Sequence, residues 1–150
     1  MIGRLLGIDP GEKRIGLAVS DAMGVAAREL QIRPRRGNAE DFAAIRYIAE
    51  EHAIAGIVVG VPINPNAPEG IRTQADAVRE WISEMRRAIP LPIAEVSEYL
   101  TSQEARRLAQ ARKRHPREPV DDLAARIILQ SFLDALSYGN ATFPPSATHE

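Results

Sequence analysis

Cysteine is absent from this chain, which excludes disulfides, thiolate metal sites and a cysteine nucleophile and fits a reducing, cytoplasmic setting. Histidine is scarce. His52, His115 and His149 stand far apart and form no HExxH-like pattern, so the sequence gives zinc no support. No apolar run reaches the roughly 20 residues that span a bilayer, and the N-terminus lacks the basic-then-apolar form of a signal peptide. Ser20, Ser97, Ser102 and Ser131 have no G-x-S-x-G setting, and Gly7, Gly11 and Gly16 match neither a dinucleotide fingerprint nor a P-loop. Thiol, zinc, serine-hydrolase and common nucleotide-binding chemistries are therefore unsupported.

What is present suits one compact domain. The 150 residues are 45% hydrophobic and 26% charged, enough for a single core. The net charge of −1 conceals an uneven distribution. Arg106, Arg107, Arg112, Lys113, Arg114 and Arg117 lie in a segment without Asp or Glu; it carries +6, so the rest of the chain sums to −7. Such a block suits either a solvated helix end or a polyanionic partner.

Residues 5–21, LLGIDPGEKRIGLAVSD, organise the remainder. Leu5, Leu6 and Ile8 form the apolar run of a buried strand, which Pro10 and Gly11 end in a tight turn. Ile15, Leu17 and Val19 alternate with small residues as a second strand, and Val25 to Ile32 supplies a third after a turn at Gly24. Asn38 is a suitable N-cap for a helix to about His52. IAGIVVGV, from Ile54 to Val61, reads as a strand buried on both faces. A helix follows from about Ile71 to Ala88, with Trp81 flanking its apolar stripe as packing, and then a fifth strand from Leu91 to Val96. A capping box at Thr101 to Glu104 opens another helix, the basic loop follows, and a last helix runs from Asp121 or Asp122 to about Tyr138. The expected fold is α/β: a mixed five-stranded sheet, made of a three-strand antiparallel meander plus two strands, with helices on both faces. One domain covers residues 1–138, and residues 139–150 are expected to be a disordered tail.

Three carboxylates occupy comparable places in that order. Asp9 ends the first strand, Glu98 follows the fifth and Asp121 opens the last helix. Each has a plain structural reading: a turn former, a solvated loop charge and an N-cap. If the fold brings them together, hard oxygen donors without Cys favour Mg²⁺ or Mn²⁺, and such a site hydrolyses phosphodiesters.

IDPGEKRIGLAVSD, VVGVPIN and VDDLAARIILQSFLDAL, in this order and spacing, resemble the YqgF/RuvX family over roughly residues 4–138. Its members have an RNase H-like fold and are described as Holliday junction resolvases and as nucleases maturing the 5′ end of the small-subunit rRNA precursor. The resemblance implies a catalytic, metal-binding trio of Asp9, Glu98 and Asp121 with one or two Mg²⁺ or Mn²⁺ ions. It implies structured RNA or branched DNA as partner, no membrane, and a monomer or homodimer. Lys13, Arg14, Asn64 and the Arg106–Arg117 cations would then contact nucleic acid. The expected activity is metal-dependent hydrolysis in pre-16S rRNA processing; the alternatives are junction resolution and a binding module with weakened catalysis. The last follows from a departure: the family's Asp-Glu-Arg motif reads Ser97-Glu98-Tyr99 here, without its Asp and Arg. The loop after VGVPIN also departs, with Pro65-Asn66-Ala67 in place of a Met-Asp-Gly-type turn.

Overall fold

The computed structural model describes residues 3–63, 68–97 and 121–144. Five strands form one sheet: β1 (Arg4–Pro10), β2 (Arg14–Ser20), β3 (Ala27–Pro34), β4 (Ile54–Val61) and β5 (Ile93–Ser97). Their spatial order is β3-β2-β1-β4-β5. β1, β2 and β3 make the antiparallel meander, and β4 and β5 run parallel to β1. The described helices are α1 (Asn38–Glu51), α2 (Gln74–Ala88) and α3 (Asp121–Ser137).

Strand alternation divides the core in two. Leu6, Ile8, Ile15, Leu17, Val19, Ile57, Val59 and Ile93 pack with residues of α1 and α2. Leu5, Ala18, Val58 and Ala94 pack with Ile128, Leu129 and Phe132 of α3. β1 is thus covered on both faces, which is why it reads as an apolar run rather than an alternation.

The α3 face is built from small residues. A β-carbon on Gly7 would lie 2.7 Å from Leu129 Cβ and 2.9 Å from the carbonyl oxygen of Ala125. Glycine there admits the helix to close packing on the sheet. Farther along, Gln130 accepts from the Ala27 amide and donates to the Val25 carbonyl, both at 2.9 Å. Arg126 meets Glu29 at 3.0 Å. These contacts fix α3 across β1, β2 and β3.

Several local boundaries differ from the sequence expectation. Asn38 is not an N-cap: Gly37 holds that position with φ 123°, and the Asn38 side chain donates to Glu84. The fully buried Asp41 carboxylate instead takes the amides of Arg36 and Gly37 and the Arg33 guanidinium at 3.1 Å. α2 begins at Gln74, not Ile71, because Thr73 and Asp76 form a reciprocal capping box. β3 and β5 each lie one or two residues later than expected. Trp81 is core, packed 5.4 Å from Phe42 between ring centroids. In the stretch expected to be a tail, Phe143 lies over Gly56 and edge-on to Phe132. The helix expected from Thr101 lies outside the described residues.

Candidate active site

Asp9 sits one residue before the end of β1, directly opposite Gly16 of β2 in the antiparallel register. Residues opposite each other in such a pair project from the same face of the sheet. Here that face is the one α3 covers: a β-carbon on Gly16 would lie 1.9 Å from the Asp121 carbonyl oxygen and 2.9 Å from Asp121 Cβ. Two acids 112 positions apart in sequence are therefore placed on the same face at one end of the sheet, each next to Gly16, and both are half-buried. Asp121 is the first residue of α3, where the helix dipole favours negative charge.

The β1–β2 turn closes over the same place. Gly11 donates to the Arg14 carbonyl at 2.9 Å. A β-carbon on Gly11 would stand 3.2 Å from Asp121 Oδ2, so the turn runs along the edge of that carboxylate. Arg14 Nε pairs with Asp121 Oδ1 at 3.3 Å. This cation was expected to contact nucleic acid; its half-exposed side chain is tied to an acid of the site while still reaching solvent. Lys13, next to it, is exposed at the turn.

Glu98 lies outside the described residues, directly after Ser97, which pairs with Val61 at the end of β5. β5 runs parallel to β4 and β4 to β1, so β5 ends at the same edge as Asp9. Asn64 and the cations Arg106, Arg107, Arg112, Lys113, Arg114 and Arg117 are likewise outside the described residues. Among the described residues no group of three His, Cys, Asp or Glu side chains could hold a metal ion. The donors that are described, Asp9 and Asp121, are hard carboxylate oxygens of the kind Mg²⁺ and Mn²⁺ take. No described helix is long and apolar enough to cross a membrane.

Two features of the site escape a linear reading. Gly16 looks like an ordinary small residue in an alternating strand, although a strand glycine is a known signal of close backbone approach. Arg35 looks like one cation of a basic turn, yet it donates to the Gly11 carbonyl at 2.8 Å.

Residues 3–135 match the family described as "RuvX: Holliday junction resolvase". A protein of Anaeromyxobacter dehalogenans named "Putative pre-16S rRNA nuclease" is 40% identical over 134 residues, covering 87% of this chain and 96% of its own length. One of Thermoanaerobacter pseudethanolicus, with the same name, is 36% identical over 136 residues, covering 88% of this chain and 96% of its own. Among solved structures, Thermus thermophilus RuvC in complex with a Holliday junction substrate aligns with a TM-score of 0.61 at 13% identity. That alignment covers 92% of this chain and 97% of the other, and it identifies the fold as RNase H-like.

Proposed function

Because the chain belongs to the RuvX family, we propose that it is a divalent-metal-dependent nuclease that processes the precursor of 16S rRNA, the substrate class in its relatives' names. The observation that supports this reading is that Asp9 and Asp121 each lie against Gly16 on one face of the sheet. Both acids sit at the sheet edge where β5 leads into Glu98. Open α/β sheets keep their sites beyond the carboxyl ends of their parallel strands.

Asp9, Asp121 and Glu98 are the residues that would hold Mg²⁺ or Mn²⁺. The ion supplies neutralisation of phosphate charge and activation of water. The chain's own contributions are separate. Asp121 opens α3, so the helix dipole offsets the cost of gathering negative charge at one place. Arg14 neutralises part of Asp121 and presents the rest of its guanidinium to solvent, where a phosphate can take it. Lys13 adds a second exposed cation on the same turn. The sequence adds the cations of the Arg106–Arg117 segment, and phosphate contacts of this kind hold the backbone without reading bases.

The test is a cleavage assay in Mg²⁺ and in Mn²⁺ on a 16S-precursor RNA, single-stranded DNA and a four-way DNA junction, with Asp9→Asn as control. Metal-dependent cutting of the RNA that vanishes in Asp9→Asn is the expected result. Cutting of the junction in preference to RNA would reassign the substrate to branched DNA. Binding without cutting in either metal would reduce the chain to a nucleic-acid-binding module.

A further inference from the structure

The turn after Asp9 is held in place by a residue outside the carboxylate set, and we propose that Arg35 is the positioning residue of the cleavage site. This rests on the nuclease reading above. Arg35 grips the turn twice: its guanidinium donates to the Gly11 carbonyl at 2.8 Å, and its backbone amide donates to the Lys13 carbonyl at 2.9 Å. The guanidinium is itself seated, 5.4 Å from the ring centroid of Trp81. Trp81 is buried in α2 and packed on Phe42, so Arg35 is anchored to the core.

The turn needs this hold. A pocket of about 290 Å³, partly open to solvent, lies beside it, lined by Pro10 of β1, Gly11 and Glu12 of the turn, Val78 and Trp81 of α2, and Arg35 itself. Among the described residues, Arg35 thus forms part of the wall beside the turn and bonds Gly11 directly. Movement of Gly11 would be felt at two acids: Asp9 is two residues away in the chain, and Asp121 Oδ2 is close against Gly11. A misplacement of about 1 Å at reacting groups can cost about 100-fold in rate.

The experiment compares steady-state cleavage by the full chain as wild type, Asp9→Asn, Arg35→Met and Arg35→Gln, with urea unfolding of each. Met keeps an apolar stem over Trp81 and removes every donor; Gln keeps a donor and removes the charge. The expected result is a kcat lowered about 10- to 100-fold in Arg35→Met, KM within about twofold, and a partial recovery of kcat in Arg35→Gln. A wild-type kcat in Arg35→Met, or a loss confined to KM and equal in both variants, overturns the proposal; the latter would make Arg35 a substrate contact. Should Arg35→Met not fold, Arg35→Gln decides by the same split between kcat and KM. A wild type no faster than Asp9→Asn overturns the nuclease reading and this proposal with it, whereas an active wild type matched by Arg35→Met overturns this proposal alone.

Discussion

Gly16 lies so close beneath Asp121 that a β-carbon on it would stand 1.9 Å from the Asp121 carbonyl oxygen. The contact is with helix backbone, which cannot step aside as a flexible side chain can. Gly16→Ala should therefore push the start of α3 away from the sheet and separate Asp121 from Asp9. Overpacking of this kind costs about 1–3 kcal/mol. Urea unfolding should show that loss, and cleavage should fall by at least about tenfold for each 1.4 kcal/mol of transition-state stabilisation lost. Wild-type activity in Gly16→Ala would show that the two acids need not be this close.

Arg14 links the turn to Asp121 at 3.3 Å and remains half-exposed. Arg14→Ala should weaken nucleic-acid binding about equally across sequences, and the slope of log affinity against log salt should fall by about 1. Binding titrations at several salt concentrations read this directly. An unchanged slope would leave Arg14 with Asp121 as its sole concern.

Asp41 is fully buried and holds Arg33 together with the amides of Arg36 and Gly37. Asp41→Ala removes the acceptor for all of them and leaves the Arg33 charge, itself mostly buried, without this partner. Arg33 keeps its 3.7 Å pair with the exposed Glu40, so the expected loss is about 2–3 kcal/mol in chemical unfolding, the scale of hydrogen bonds to a charged group. A loss below about 1 kcal/mol, the scale of an exposed pair, would show that Arg33 relaxes to solvent.

Two exposed aspartates carry an acid-side pH dependence. The Val25 amide chiefly holds Asp21 below the ordinary value of 3.8, and the Thr73 amide does the same for Asp76. A folded-state pKa below the unfolded one stabilises the fold above 3.8, and that contribution disappears as pH falls through the folded value. Carboxyl-carbon NMR titration should place both midpoints below 3.8. Midpoints at or above it would mean that the β2–β3 turn and the α2 cap are not formed in solution.

Ser97 ends β5 where the family motif has an aspartate, and Tyr99 replaces its arginine. Tyrosine cannot act as a cation or grip a phosphate with two parallel donors. If these departures limit the rate, Ser97→Asp combined with Tyr99→Arg should raise kcat above wild type. No gain in the double variant would count against these departures as the cause of weakened catalysis.

Much of this geometry was legible in the sequence, for identifiable reasons. β1 and β4 announce themselves as apolar runs between turn residues, and Asp9 before Pro10-Gly11 marks a strand end that carries an acid. The helical period places the start of the last helix at Asp121 or Asp122, and the family resemblance singles out Asp121. Gly16 and Arg35 were not legible, because their roles exist only through contacts with residues far along the chain. The same holds for Asp41: an acid in the first turn of a helix is ordinarily exposed, and only the fold of the Arg33–Gly37 turn shows that it is enclosed. α2 starts at Gln74 rather than near Ile71 because the Thr73 and Asp76 side chains settle the boundary.

The path from Asp9 to Asp121 has one further consequence, for the timing of activity during synthesis. All five strands are encoded before residue 98, whereas Asp121 arrives only with the helix that it opens. On the nuclease reading proposed above, a ribosome that has not yet reached Asp121 carries a chain without one acid of that site. On that reading, competence to cut is tied to synthesis of α3 and not of the sheet alone.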